Sequence, residues 1–337
     1  MKVYITGIAG FLGSHLADWL LAQGQHRVWG CDNLVTGDFR NIPYACSSNV
    51  AKLDILDIRP VDMYGCDVVY HCAAAAYEGA SVFAPGYVCE NIFAGSARVF
   101  SAAIEAGVRR IVFCSSMARY GDIGPPFNES DCPRPCDPYG IAKEAAERLL
   151  RSLAHVHHIE YAIAVPHNIY GPRQRYTDPY RNVAAIFANR MLQGKQPIIY
   201  GDGSHQRCFS YIDDVVPYLG MMGIEDAAVW RTINLGPDEG MVTILELAQM
   251  ISRLVNMPCD PIFLPGRPAE VPDAYCSAAT ARRCLGFGSA PQTSLEDGLR
   301  HLVDFIRKRG PAPFRHHLGL EIHGPSLPTT WTTKDLM

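Results

Sequence analysis

No stretch of this sequence approaches the roughly 18 continuous apolar residues that a membrane span requires. Basic charge is not in excess either: 30 lysines and arginines stand against 34 aspartates and glutamates, a net charge of −4, and no run of basic residues concentrates positive charge. Neither a nucleic-acid nor a membrane partner is expected. A disulfide framework is also missing. The 12 cysteines are scattered along a long chain at positions such as Cys31, Cys72, Cys114 and Cys208, inside apparent core strands, which predicts reduced, buried thiols. The closest pair, Cys132 and Cys136, lacks the second pair or the histidines of a zinc site, so no metal is expected. Residues 1–10 carry no basic leader and no small-residue cleavage site, and a cytoplasmic location is the expectation. No repeat or low-complexity domain is visible.

What is present suits a large buried core. Hydrophobic residues make up 48% and charged residues 19% of 337, a balance typical of globular chains, and the length leaves room for one large or two closely joined domains.

The first segment already carries chemistry. Residues 2–6 read as a buried strand that runs into Gly7, Gly10 and Gly13, after which Leu16, Trp19 and Leu20 recur at helical spacing. Glycines let the backbone turn tightly and approach a pyrophosphate, while the free N–H groups and dipole of the following helix attract its negative charge. A second apolar strand over 28–31 ends in Asp32, where a ribose-binding acid belongs. An acid there accepts from a 2′-hydroxyl and repels a 2′-phosphate, which favours NAD over NADP; the plainer reading is a turn cap. Strand signals at 50–53, 68–71 and 111–114, with a helix over 91–106, continue the alternation and predict a doubly wound parallel α/β sheet. Asp54 and Ile55 then follow the third strand and Ala73, Ala74 and Ala75 the fourth, all at the carboxyl edge where ligands bind. Tyr139 and Lys143, four apart on one helix face, are suited to act together, because a phenol of ordinary pKa near 10 becomes a useful base only beside positive charge.

TGIAGFLG at 6–13, YGIAK at 139–143, DNLVTG at 32–37, HCAAA at 71–75, SSMARYG at 115–121, NIYGPRQ at 168–174 and GDGSHQR at 201–207 together resemble the extended short-chain dehydrogenase/reductase family. Within it, the chain is most similar to nucleotide-sugar 4-epimerases of the UDP-glucose 4-epimerase kind, over residues 1–309. The resemblance implies a UDP-sugar substrate, bound NAD and a catalytic set of Ser116, Tyr139 and Lys143. It adds Phe11, Leu12, Asn33, Asn91 and Pro166, with Tyr139 and Lys143, to the cofactor-binding residues. It implies that Ser116 and Tyr139 meet the sugar end, that Asn168 touches the sugar or its diphosphate, that Asn182 touches the diphosphate, that Arg207 and Arg267 neutralise phosphate oxygens and that Tyr200 flanks the base. A planar guanidinium suits that task because it donates to two oxygens at once. Helices at 91–106 and 139–154 match those that family members pair across a two-fold axis, which implies a homodimer.

Departures from the family pattern bear on substrate and reaction. The segment at 165–168 is VPHN, which puts Pro166 and His167 near the expected nicotinamide, and Cys208 stands where an aspartate is common. Arg119 replaces a small aliphatic residue and meets either an anionic substrate group or a structural carboxylate. Ala274 is small enough to admit an N-acetyl group. Dehydratases of the family carry an Asp-Glu pair after the serine or threonine; Met117 and Ala118 stand there instead, with no acid for elimination. The expected activity is therefore UDP-hexose 4-epimerisation through a transient 4-keto sugar, the alternatives being a dehydratase or reductase of the family or a non-catalytic dinucleotide sensor. The expected organisation is a nucleotide-binding unit over 1–165, with 208–216 and 232–235 returning to it, a substrate lobe over 166–310, and a tail over 311–337. The tail reads as a surface arm or a partly disordered one, with His316, His317 and His323 in solvent.

Overall fold

The computed structural model describes residues 1–286 and 292–333; residues 287–291 of the predicted lobe and 334–337 of the predicted tail lie outside the described residues. Strands β1 (Lys2–Thr6), β2 (Arg27–Asp32), β3 (Val50–Lys52), β4 (Val68–His71), β5 (Arg110–Cys114) and β6 (Glu160–Pro166) form one sheet with a later strand, Arg231–Leu235. The order is Arg231–Leu235, β6, β5, β4, β1, β2, β3, and every pairing is parallel. Val3, Ile5, Val68, Val69, Ile111 and Val112 are all buried, without the polar alternation of a half-exposed sheet, because helices cover both faces. This is the doubly wound α/β class that the sequence predicts. The chain reverses direction across the sheet between β1 and β4, which opens a crevice at their carboxyl ends.

On one face, Leu16, Ala17 and Leu20 of α1 (Phe11–Ala22) pack on Val3, Ile5 and Val28. On the other, a helical rod covers β4 and β5. It begins earlier than the predicted residue 91: α2 (Pro85–Cys89), a π turn at Glu90–Ala94 and α3 (Gly95–Glu105) run end to end. Proline suits a first turn, where its missing N–H costs nothing. The next free donors, the N–H groups of Gly86 and Tyr87, reach the carboxylate of the distant Glu321 at 2.8 and 2.7 Å. Beside the rod lies α4 (Pro138–His157), capped by Asp137, whose carboxylate accepts from the Gly140 N–H at 3.0 Å. Its buried face carries Ala142, Ala146, Leu150 and Ala154 at helical spacing.

Beyond β6 the chain leaves the sheet. Ile169–Tyr170 pairs with Ser210–Tyr211, and α5 (Val183–Leu192) packs on Ile244–Val255 and Leu295–Arg309. Arg231–Leu235 then returns beside β6.

The described part of the tail packs as a surface arm, one of the two expected readings, and departs from expectation at two of its histidines. Trp331 is 5% exposed, edge-on to Phe83 with centroids 5.9 Å apart and 5.5 Å from Tyr180, and its indole N–H donates to the Pro179 carbonyl at 3.3 Å. His316 and His317 are half-buried and hydrogen-bonded rather than free in solvent: Nε2 of His316 lies 2.9 Å from the Thr330 carbonyl and Nε2 of His317 lies 2.8 Å from the Tyr77 hydroxyl. The rings of Tyr77 and Tyr180, both remote in sequence, pack against them. His323 is exposed.

Candidate active site

A cavity of about 480 Å³ runs from the β1–β4 crevice to the segments beyond β6. At its sheet end, Gly7 has φ +71°, and a Cβ there would come within 2.8 Å of the Ala73 backbone; at Gly13 it would lie 2.3 Å from the Gly7 carbonyl oxygen. Neither position admits a side chain, so bare backbone faces the cavity, together with Gly10, Phe11 and Leu12. Asp32 follows on β2. Its carboxylate accepts from the N–H groups of Ala9 at 3.0 Å and Leu34 at 2.8 Å, while burial raises its pKa against those bonds.

Asn33 and Ile55 line the wall beside it, and Asp54 stands behind. Asp54 accepts from the Asn33 amide at 2.8 Å and the Leu56 N–H at 3.0 Å, so it orients a wall residue rather than facing the cavity. Ala73, Ala74 and Ala75 form the next stretch of wall; Asn91, from the π turn, fixes it by accepting the Ala75 N–H at 2.6 Å.

Deeper in, Ser116, Tyr139 and Lys143 converge. Lys143 is 2% exposed; its ammonium donates to the Cys114 carbonyl at 2.7 Å and lies 5.9 Å from the Tyr139 ring centre. Burial pulls its pKa down to about 8. Burial also pushes the Tyr139 phenol above its ordinary range, opposed by a hydrogen bond with Ser116. Ser116 caps a short turn, accepting from the Ala118 N–H at 3.2 Å. Arg119, one of the two readings of which was an anionic substrate contact, turns away: Nε lies 2.9 Å from Oε1 of Glu147. Glu147 is fully buried on α4, accepts from the Ser115 hydroxyl at 2.5 Å and pairs with Arg151 at 3.0 Å. This network ties the loop before Ser116 to the helix that carries Lys143.

The far end is cationic and aromatic. Asn168, Asn182, Tyr200, Arg207 and Arg267 line the cavity, as do Pro166, Met117, Ala118 and Ala274. The Arg267 guanidinium stacks 5.1 Å from the Tyr200 ring centre and pairs with Glu270 at 2.7 Å. Arg207 donates to the carbonyls of Pro272 and Val271 at 2.6 and 2.7 Å. The Asn168 amide donates to the Cys208 carbonyl at 3.0 Å and the Asn182 amide to the Ile169 carbonyl at 2.9 Å.

Arg181, Thr330 and Glu78 are among the lining residues absent from the sequence expectation. Arg181, beside Asn182, pairs with Asp178 at 3.3 Å and stacks 5.1 Å from the Tyr77 ring centre; the density of Arg and Tyr over 173–181 was its signal. Thr330 of the tail hydrogen-bonds the Tyr200 hydroxyl, and nothing local announces it. Glu78, two residues beyond the alanines, likewise carries no motif.

A glycine-walled crevice at the topological switch point, continuous with a pocket lined by arginines, defines a class: dinucleotide-dependent enzymes with a second, anionic ligand. The chain belongs to the NAD dependent epimerase/dehydratase family, whose model matches residues 3–236. It is 33% identical over 319 residues to the UDP-glucose 4-epimerase of Mycolicibacterium smegmatis, covering 92% of this chain and 99% of the relative. It is also 30% identical, over 91% of this chain and 98% of the relative, to the UDP-N-acetyl-alpha-D-glucosaminuronate decarboxylase of Bacillus cytotoxicus. Among solved structures, the UDP-glucuronic acid 4-epimerase of Bacillus cereus, in complex with UDP-glucuronic acid and NAD, superposes with a TM-score of 0.85 at 26% identity, covering 92% of this chain and 100% of that one. The expectations of family, fold, NAD and an enzyme of the epimerase class hold.

Proposed function

We propose that this enzyme interconverts the 4-epimers of a UDP-hexose, with UDP-glucose and UDP-galactose as the first pair. The observation that carries the reading is the convergence of Ser116, Tyr139 and Lys143 on one cavity in which no acid stands at Met117 or Ala118. Elimination of water needs an acid there; epimerisation does not. The relative in Mycolicibacterium smegmatis, a UDP-glucose 4-epimerase, supports the same choice.

The residues fit NAD. The cradle that a Cβ at Gly7 or Gly13 would fill leaves room for a pyrophosphate, Asp32 offers a carboxylate at the end of β2, and Ile55, Ala73, Ala74 and Ala75 offer the flat wall. When bound, NAD supplies the acceptor that takes the hydrogen of carbon 4 and gives it back. Tyr139 takes the proton of the 4-hydroxyl and returns it; Lys143 keeps positive charge beside the phenol and makes that loss possible. Ser116 holds the hydroxyl toward Tyr139. Arg207 and Arg267 hold the diphosphate, Asn168 and Asn182 orient it, and Tyr200 flanks the base. A homodimer through the faces of α3 and α4 and their π turn is part of the reading, supported by Phe93 and Ile141, which leave apolar surface exposed there.

The test is incubation of the purified chain with UDP-glucose, UDP-N-acetylglucosamine or UDP-glucuronate without added reductant, followed by NMR. Inversion at carbon 4 of UDP-glucose is expected. If every sugar is unchanged while an added reduced nicotinamide cofactor is consumed stoichiometrically, the enzyme is a reductase.

A further inference from the structure

Among the described residues, four carboxylates line the cavity: Asp32, Glu78, Asp137 and Glu270. Three are committed. Asp32 holds the Ala9 and Leu34 amides, Asp137 caps α4 and accepts from the Ser81 hydroxyl at 3.2 Å, and Glu270 pairs with Arg267. Among the described residues, the Glu78 carboxylate makes no hydrogen bond and no ion pair, and it is open to the cavity space. Its backbone is fixed: the Glu78 carbonyl accepts from both the N–H and the hydroxyl of Ser81, at 3.1 and 2.7 Å.

Its position is bracketed by the two landmarks of the proposed chemistry. The charge of Glu78 acts on the Tyr139 phenol, and the charges of Arg207 and Arg267 act on Glu78. Arg267 sits directly over the next residue, its Nη1 3.4 Å from where a Gly79 Cβ would be. A ligand held by those arginines and reacting at Tyr139 has its sugar between them, beside Glu78. The arginines themselves do not need Glu78 as a counter-ion, since Arg267 has Glu270 and Arg207 has its carbonyls.

We propose that Glu78 is the specificity-determining residue of the sugar pocket, accepting hydrogen bonds from the hydroxyls of an uncharged hexose and excluding a sugar that carries a carboxylate. The inference rests on the 4-epimerase reading and names its substrate class. Two carboxylate oxygens accept strongly from hydroxyls, whereas a second carboxylate placed beside them in the same cavity is repelled. Burial and the neighbouring Asp137 push the Glu78 carboxyl up to about 7, so its charge, and with it the discrimination, grows as pH rises through neutrality. Tyr139, Asp137, Arg207, Arg267 and Glu270 are the charged or titratable groups that face it.

The test compares the whole wild-type enzyme with Glu78→Gln and Glu78→Ala, using calorimetric binding of UDP, UDP-glucose and UDP-glucuronate at about pH 6 and about pH 8.5. The wild type is expected to prefer UDP-glucose over UDP-glucuronate by at least about tenfold at the higher pH, and less at the lower. Both variants are expected to lose most of that ratio and its pH dependence while keeping UDP affinity and bound NAD, which also reports folding. Equal wild-type affinity for the two sugars, or an unchanged ratio in both folded variants, overturns the proposal. Binding needs no turnover, so an enzyme that discriminates yet epimerises nothing refutes the 4-epimerase reading alone.

Discussion

The Lys143 ammonium and the Cys114 carbonyl oxygen, 2.7 Å apart, join the middle of the cavity to the end of β5. The bond fixes a buried cation one helical turn from Tyr139, where an unpaired ammonium would be costly. Position and charge are thereby set before any ligand arrives.

Tyr139→Phe removes the proton acceptor and leaves the glycine cradle intact. NAD content is expected to match the wild type, while kcat falls by about 10²–10⁴-fold, the range for a lost acid–base group. Wild-type turnover in this variant would refute the role given to Tyr139.

The depressed pKa of Lys143 gives the pH profile a direction. Charge on Lys143 is lost as pH rises through about 8, so kcat/KM is expected to decline on the alkaline side from that region. Lys143→Ala should lose most activity and move what remains to higher pH, because the phenol then ionises without its neighbouring charge. Steady-state profiles of both proteins check this.

Glu147→Ala is a stability variant. It strips the partner from Arg119, which is 3% exposed, and breaking a buried pair in this way costs about 3–5 kcal/mol. Denaturant unfolding should report that loss, and Glu147→Gln, which keeps two hydrogen-bonding atoms, should lose less.

The fold was largely legible in the sequence, for a physical reason: parallel strands buried on both faces leave continuous apolar runs, and glycines that must touch neighbouring backbone leave a motif. Tyr139 and Lys143 were legible because a helix fixes their spacing. Arg119 was ambiguous because Glu147, its partner, lies on another element. Glu78 left no trace because it belongs to no motif, and Thr330 left none because it reaches the cavity only through contacts between residues far apart in the chain; the half-buried histidines of the tail were hidden for that second reason. The early start of the α2 rod depends on Glu321, which supplies from the tail what a local cap would have announced.

The tail itself is testable. Trp331→Ala removes the anchor that holds Thr330 against Tyr200. UDP affinity is expected to fall by about tenfold, equivalent to about 1.4 kcal/mol, with NAD content unchanged because the glycine cradle lies at the other end. Calorimetry with UDP alone measures it.

The central claim is that the hydrogen of carbon 4 leaves the sugar and returns to its opposite face without exchanging with water. UDP-glucose carrying deuterium at carbon 4, incubated with the enzyme in ordinary water and followed by NMR, tests it most directly. The account predicts UDP-galactose that retains the deuterium at carbon 4. Galactose in which that deuterium has been replaced by solvent hydrogen, or a product that has lost water from the sugar, would contradict it.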